Sequence, residues 1–224
     1  MKRSQINTLI KDAIQWLEEL NVHLPPFAYW TPKEWAEKGH EYDEIRCNML
    51  GWDVTDYGRG DFDKIGLLLF TIRNGNLKNP DYAKPYAEKM LISQVGQLSP
   101  NHFHWHKTED IINRGGGTLM LRLWNSTKEG NLDDSNVTVR IDGRRCTVPA
   151  GGEVFLKPGE SITLTPGIYH LFTAVDEKVL GWEVSAVNDD NTDNRFLEPQ
   201  ARFADIEEDE PAEYLLCNEY PEAR

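Results

Sequence analysis

Between Gly96 and Gly116 the chain reads GQLSPNHFHWHKTEDIINRGG, with His102, His104 and Glu109 spaced as one metal ion would need. A step of two places His102 and His104 on one face of a β-strand. Glu109 follows far enough on for a tight bend to return it to the same cavity. Later, PGIYH supplies His170 as a fourth ligand. Imidazole and carboxylate suit Mn, Fe, Zn, Ni or Co, and no cysteine lies nearby for a thiolate site. His106 opens a second register, with His104 and His106 as the strand pair. The spacings from Gly96 and to Glu109 favour His102 and His104. His23 and His40 have no such partners and read as surface or packing residues.

Other polar residues could line the same cavity. Lys107 precedes Glu109 by two and shares its face if the segment is extended; otherwise it is a solvated turn lysine. Lys89, in EKMLIS, is a pocket residue or an edge-strand charge. Glu183 and Ser185 alternate with Trp182, Val184 and Ala186, so one polar face points either into a cavity or to water. NDDNTDNRF, from Asn188 to Phe196, is a hydrophilic loop or a stretch that meets substrate or another subunit through Asp190, Asp193 and Arg195. Trp105 and Trp182 read as core residues.

These side chains need a scaffold. Ile6, Leu9, Ile10, Ala13, Leu17 and Leu20 recur at helical steps, with Ser4 as cap and Pro25-Pro26 as terminator. TPKEW carries a capping box, Thr31 to Glu34, with proline in the first turn. Beyond Gly51 come short runs rich in β-branched and aromatic residues, bounded by Gly, Pro, Asn or Asp. Asp142-Gly143 marks a tight hairpin. The expected fold is all-β, a sandwich or barrel with short N-terminal helices packed on or beside it. One domain over 1–224 is expected: a helical extension over 1–50, a barrel over about 65–187 and an irregular segment over 188–224. The acidic run DIEEDEPAE reads as solvated.

The net charge of −13 disfavours nucleic acid and anionic membrane as partners, because both would be repelled. Three scattered cysteines read as reduced thiols of a cytoplasmic protein. The N-terminus lacks the long apolar run of a signal peptide or a membrane span.

The glycine-bounded HxH and Glu pattern resembles the first motif of the cupin superfamily, and PGIYH resembles the second, with Ala174 where an Asn is usual. LPPFAYW, GWDVTDYG, HFHWHKTEDIINRGGG, EVSAVNDDNTDNRFLEP and LLCNEYP further resemble the D-lyxose isomerase family of cupins. That resemblance implies a double-stranded β-barrel (jelly roll), a homodimer, and Mn²⁺ (or another divalent ion such as Co²⁺) held by His102, His104, Glu109 and His170. It also implies interconversion of D-lyxose and D-xylulose, and by shared C2 and C3 geometry of D-mannose and D-fructose.

Such a reaction moves a proton between adjacent carbons through a cis-enediol. The base is Glu183 or a carboxylate of the 190–198 stretch; Lys89 or Lys107 stabilises negative oxygen or assists the second proton transfer. Lys89, Lys107, Asp190 and Arg195 are the expected substrate contacts. Two other classes fit the ligand set: a cupin dioxygenase, which wants an apolar pocket, and a sugar-binding cupin without turnover.

Overall fold

The structure is a computed structural model and describes residues 1–190 and 192–223. Helices α1 (Arg3–Glu19), α2 (Pro32–Trp35) and α3 (Asp43–Cys47) come first. The strands follow: β1 (Gly51–Thr55), β2 (Leu67–Arg73), β3 (Tyr86–Ser93), β4 (Ser99–His104), β5 (Glu109–Gly116), β6 (Leu119–Ser126) and β7 (Leu132–Asp133). After them come β8 (Val137–Ile141), β9 (Arg144–Val148), β10 (Gly152–Leu156), β11 (Ser161–Leu164), β12 (Ile168–Ala174), β13 (Val179–Ala186) and β14 (Asn194–Phe196).

Two antiparallel sheets face one another. The larger runs β1-β2-β3-β13-β5-β11-β8-β9 and the smaller β10-β6-β12-β4-β14, with β7 beside β6. This is the expected cupin jelly roll. Alternation sorts the side chains of each strand between its faces. In β2, Leu67 and Leu69 join the core between the sheets, while Leu68, Phe70 and Ile72 face outward under α1. The strand is therefore apolar on both faces, as its sequence LLLFTIR requires. Ile6, Ile10, Ala13 and Leu17 form the apolar stripe of α1 that covers this outer face. No helix among the described residues is long and apolar enough to cross a membrane.

Local signals behave as the sequence suggests at two places. Thr31 and Glu34 form the reciprocal capping box. Asp142 and Gly143 both take positive φ, 48° and 78°, as a two-residue hairpin between β8 and β9 demands.

Ser4 departs from expectation. Lys2 occupies the N-cap of α1 without a side-chain bond. Asp209, from the acidic run, instead accepts from the Ser4 amide at 2.9 Å and its hydroxyl at 2.6 Å. A carboxylate there satisfies a free N–H and complements the positive end of the helix. The rest of the run follows suit. Glu208, with Glu219 from beyond the run, clamps the buried Arg3 guanidinium, Glu210 accepts from Asn7, and Glu213 pairs with Lys11. The run is thus largely solvated, as its composition suggests, and also clasps α1.

The glycines that bound the metal motif both have positive φ, 73° at Gly96 and 84° at Gly116. A Cβ on Gly96 would meet nothing, whereas one on Gly116 would lie 1.9 Å from the Lys178 carbonyl oxygen. Gly96→Ala should therefore cost about 1 kcal/mol, the left-handed strain alone. Gly116→Ala should cost more than about 3 kcal/mol. Equal losses in urea denaturation would contradict this account.

Candidate active site

The cavity between the sheets is built by strand register. His102 on β4 lies directly opposite His170 on β12, and His104 opposite Asn194 on β14. In the larger sheet Lys89, Glu183 and Ile111 form one cross-strand row over β3, β13 and β5. Glu109, two residues before Ile111, shares its face. Thr55, Leu67, Leu69, Leu91 and Phe172 complete much of the lining around about 60 Å³ of free space.

Among the described residues, His102, His104 and His170 form one cluster, with ring nitrogens within 4.8 Å of one another. The Nδ1 atoms of His102 and His170 lie 2.8 and 3.0 Å from the carbonyls of Pro100 and Ile168. A carbonyl only accepts, so these nitrogens carry protons, and in a neutral ring Nε2 then keeps its lone pair. Glu109 Oε1 is 3.1 Å from His170 Nε2 and 3.4 Å from His104 Nε2, yet makes no hydrogen bond. Lone pairs that converge without a proton repel unless a cation sits among them. The donor set of three imidazoles and a carboxylate therefore suits a divalent metal. His106 is exposed in the turn after β4 and lies outside the cluster.

The lysines link this cluster to the opposite wall. Lys107 Nζ lies 2.9 Å from Glu109 Oε2 and 2.8 Å from Glu183 Oε1. It reaches the cavity from the turn between β4 and β5. Asp193 holds that turn, accepting from the amides of His106 at 2.7 Å and Lys107 at 3.0 Å. Both carboxylate oxygens of Asp193 thus serve the backbone. Lys89 Nζ stands 3.5 Å from Glu183 Oε2. Asp190 lines the cavity and pairs with Arg202, which also pairs with the buried Asp53.

Arg195 is not brought to this cavity. It pairs with Phe103 in register, on the face of β14 opposite Asn194 and Phe196, and donates to the Phe196 carbonyl. Asn191, within the same loop, lies outside the described residues. Two residues that sequence reasoning passed over stand at the site: Arg202, and Asn188, whose Oδ1 meets both lysines. Asn188 opens the stretch that reads as a polar loop or a substrate- or subunit-contacting segment, though it is not itself singled out there, and QARFAD around Arg202 carries no signal.

Charge balance sets the protonation states. Burial pushes the Glu109 carboxyl up, but Lys107 and then His104 hold it well below the usual range. Burial likewise opposes ionisation of Glu183, and Lys107 and Lys89 outweigh it. Burial would lower the Lys107 ammonium, but Glu109 and Glu183 raise it above its ordinary value. Asp190 is held well below its ordinary value, mainly by Lys89 and Arg202 against burial. Desolvation pushes His102 well below 6.5, and lowers His104 too.

The unfolded chain therefore takes up protons near pH 6.5 that folded His102 and His104 refuse, so stability falls as pH drops below 6.5. The depressed carboxylates add losses of the same sign at lower pH. Urea midpoints of chelator-treated protein should fall steadily below pH 6.5, with a shallower slope in His102→Asn. A flat profile would contradict the assignment. A divalent ion such as Mn²⁺ at a hundred times its Kd should stabilise the protein by about 2.7 kcal/mol. Calorimetry should find that gain lost in His170→Ala.

A sequence profile described as D-lyxose isomerase matches residues 1–220. A D-lyxose/D-mannose isomerase of Escherichia coli O157:H7 is 49% identical over 227 residues, covering all of both chains. Another, from Serratia proteamaculans, is 48% identical over 98% of each. Solved L-ribose isomerases share the fold at low identity. That of Cellulomonas parahominis aligns with TM-score 0.58 at 14% identity, and that of Acinetobacter sp. DL28 with 0.58 at 13%; each covers 92% of this chain and 98% of its own. A family profile along nearly the whole chain, and relatives close to half identical from end to end, show that the protein belongs to the D-lyxose isomerase family and is a sugar isomerase.

Proposed function

We propose that the protein is a metal-dependent aldose–ketose isomerase. It interconverts D-lyxose with D-xylulose, and D-mannose with D-fructose, in the cytoplasm and as a homodimer. The observation that carries this reading is Lys107, which ties the metal-facing Glu109 to Glu183, a second carboxylate in the same cavity. The two relatives are named for both aldoses, lyxose and mannose.

His102, His104, His170 and Glu109 would hold the ion, with Mn²⁺ or Co²⁺ suited to the set. When bound, it supplies a positive charge that polarises the carbonyl of the open-chain sugar and stabilises negative oxygen. Glu109, committed to that role, is a poor base. Glu183 remains: it is ionised, buried and flanked by both lysines. It removes the proton from C2 of the aldose, leaving a cis-enediol, and returns that proton to C1 of the ketose. Lys107 and Lys89 donate to the sugar oxygens as charge builds there, and Lys107 assists transfer of the hydroxyl proton from O2 to O1. Asp190 and its partner Arg202 face the rest of the sugar. This charged wall suits a polyhydroxylated substrate better than the apolar one a dioxygenase would need.

Glu183→Gln should lower kcat by about 10²–10⁴-fold while metal content stays unchanged. It should also stop exchange of the C2 proton with solvent. Normal exchange in that variant would remove Glu183 as the base and return the choice to the 190–198 carboxylates.

A further inference from the structure

Three oxygens of the protein surround the Lys107 ammonium within 3.2 Å. It donates to Glu183 Oε1 at 2.8 Å and Asn188 Oδ1 at 3.2 Å, and forms an ion pair with Glu109 Oε2 at 2.9 Å. Lys89 donates to the same Asn188 oxygen at 2.6 Å. The two lone pairs of that oxygen are thus shared between the two lysines.

Asn188 is itself fixed. Its backbone N–H donates to Asn74 Oδ1 and its carbonyl accepts from Asn74 Nδ2, both at 3.0 Å. The Asn74 carbonyl accepts in turn from Asn48 Nδ2, and Asn48 Oδ1 from Asn76 Nδ2, again both at 3.0 Å. Asn48 and Asn74 are buried. These four asparagines line a second cavity of about 180 Å³, which shares Asp190 and Arg202 with the first. A chain of amides therefore runs from that cavity to both lysines.

We propose that Asn188 is a positioning residue for the isomerisation: it holds Lys89 and Lys107 as a fixed pair of donors and yields the Lys107 proton to an incoming sugar oxygen. The proposal rests on the aldose–ketose reading. An ammonium crowded by three close oxygens must release one contact before a substrate oxygen can approach it. The bond to Asn188 is the longest of the three and the only one to a neutral acceptor. Charge-assisted contacts are roughly twice as strong as neutral ones, so Glu183 keeps its hydrogen bond and Glu109 its ion pair. Lys89 keeps its short bond to Asn188 throughout, which preserves the anchor. The choice of amide over carboxylate is explained by the same argument, because a charged acceptor would hold the Lys107 proton against the sugar.

The test compares Asn188→Ala and Asn188→Asp with wild type, each loaded with Mn²⁺ and normalised to bound metal. Asn188→Ala should lower kcat by about tenfold or more through misplaced donors, with KM changed far less. Asn188→Asp should keep both lysines in place but bind the proton harder, raising KM about fivefold or more with kcat little changed. A purely structural role would instead lower the active fraction of both variants and leave KM alone, overturning the proposal. A second readout needs no turnover. In metal-free protein, ¹⁵N NMR should show faster solvent exchange of the Lys89 and Lys107 ammonium protons in Asn188→Ala than in wild type or Asn188→Asp. Unchanged exchange would overturn the holding role. A metal-loaded wild type that converts no aldose would overturn the isomerase reading instead, while the exchange data still decide whether Asn188 holds the lysines.

Discussion

The Lys107 ammonium, with a side chain 2% exposed, sits between two carboxylates that are themselves nearly excluded from water. Desolvating such charges costs several kcal/mol per ion, and good pairing must offset it. One cation does so for both Glu109 and Glu183. Without it, two buried anions would face each other, and the carboxyls would tend to gain protons. The histidine cluster with Glu109 and the opposite wall with Glu183 are in this sense one electrostatic unit.

Much of the fold serves to put that ammonium where it is. Lys107 has no strand of its own; it rides a turn whose amides are held by Asp193 from the far end of the chain. The pairing of β14 with β4 brings Asp193 there, and also sets Asn194 and Phe196 beside the histidines. The segment after β13 therefore forms a wall of the site, with Arg202 joining Asp53 and Asp190 across it. The N-terminal helix works from outside. It seals the outer face of the larger sheet, and the acidic run clasps it there, so the strands carrying Lys89 and Glu183 are packed on both sides.

Some of this was legible in the residues. The alternation of His102 and His104, the step to Glu109, and PGIYH before His170 are short-range patterns, and the structure brings all four side chains together. Thr31 with Glu34 and Asp142 with Gly143 were readable for the same reason, since a cap or a turn is decided by neighbours within a few positions. Lys89, Lys107 and Glu183 were visible as polar residues of undecided direction. What lay hidden was the identity of their partners.

By itself the sequence determined the residue types of the candidate cluster, the all-β character and the local turns, because side-chain period and backbone preference act over a few residues. Only the tertiary structure decided that Asp209 caps α1 in place of Ser4, that Arg195 faces away from the cavity, and that Asn188 meets both lysines. Each of these depends on the register of strands and segments far apart in the chain. A shift of one residue in such a register exchanges the two faces of a strand, and no local pattern records which partner will lie opposite.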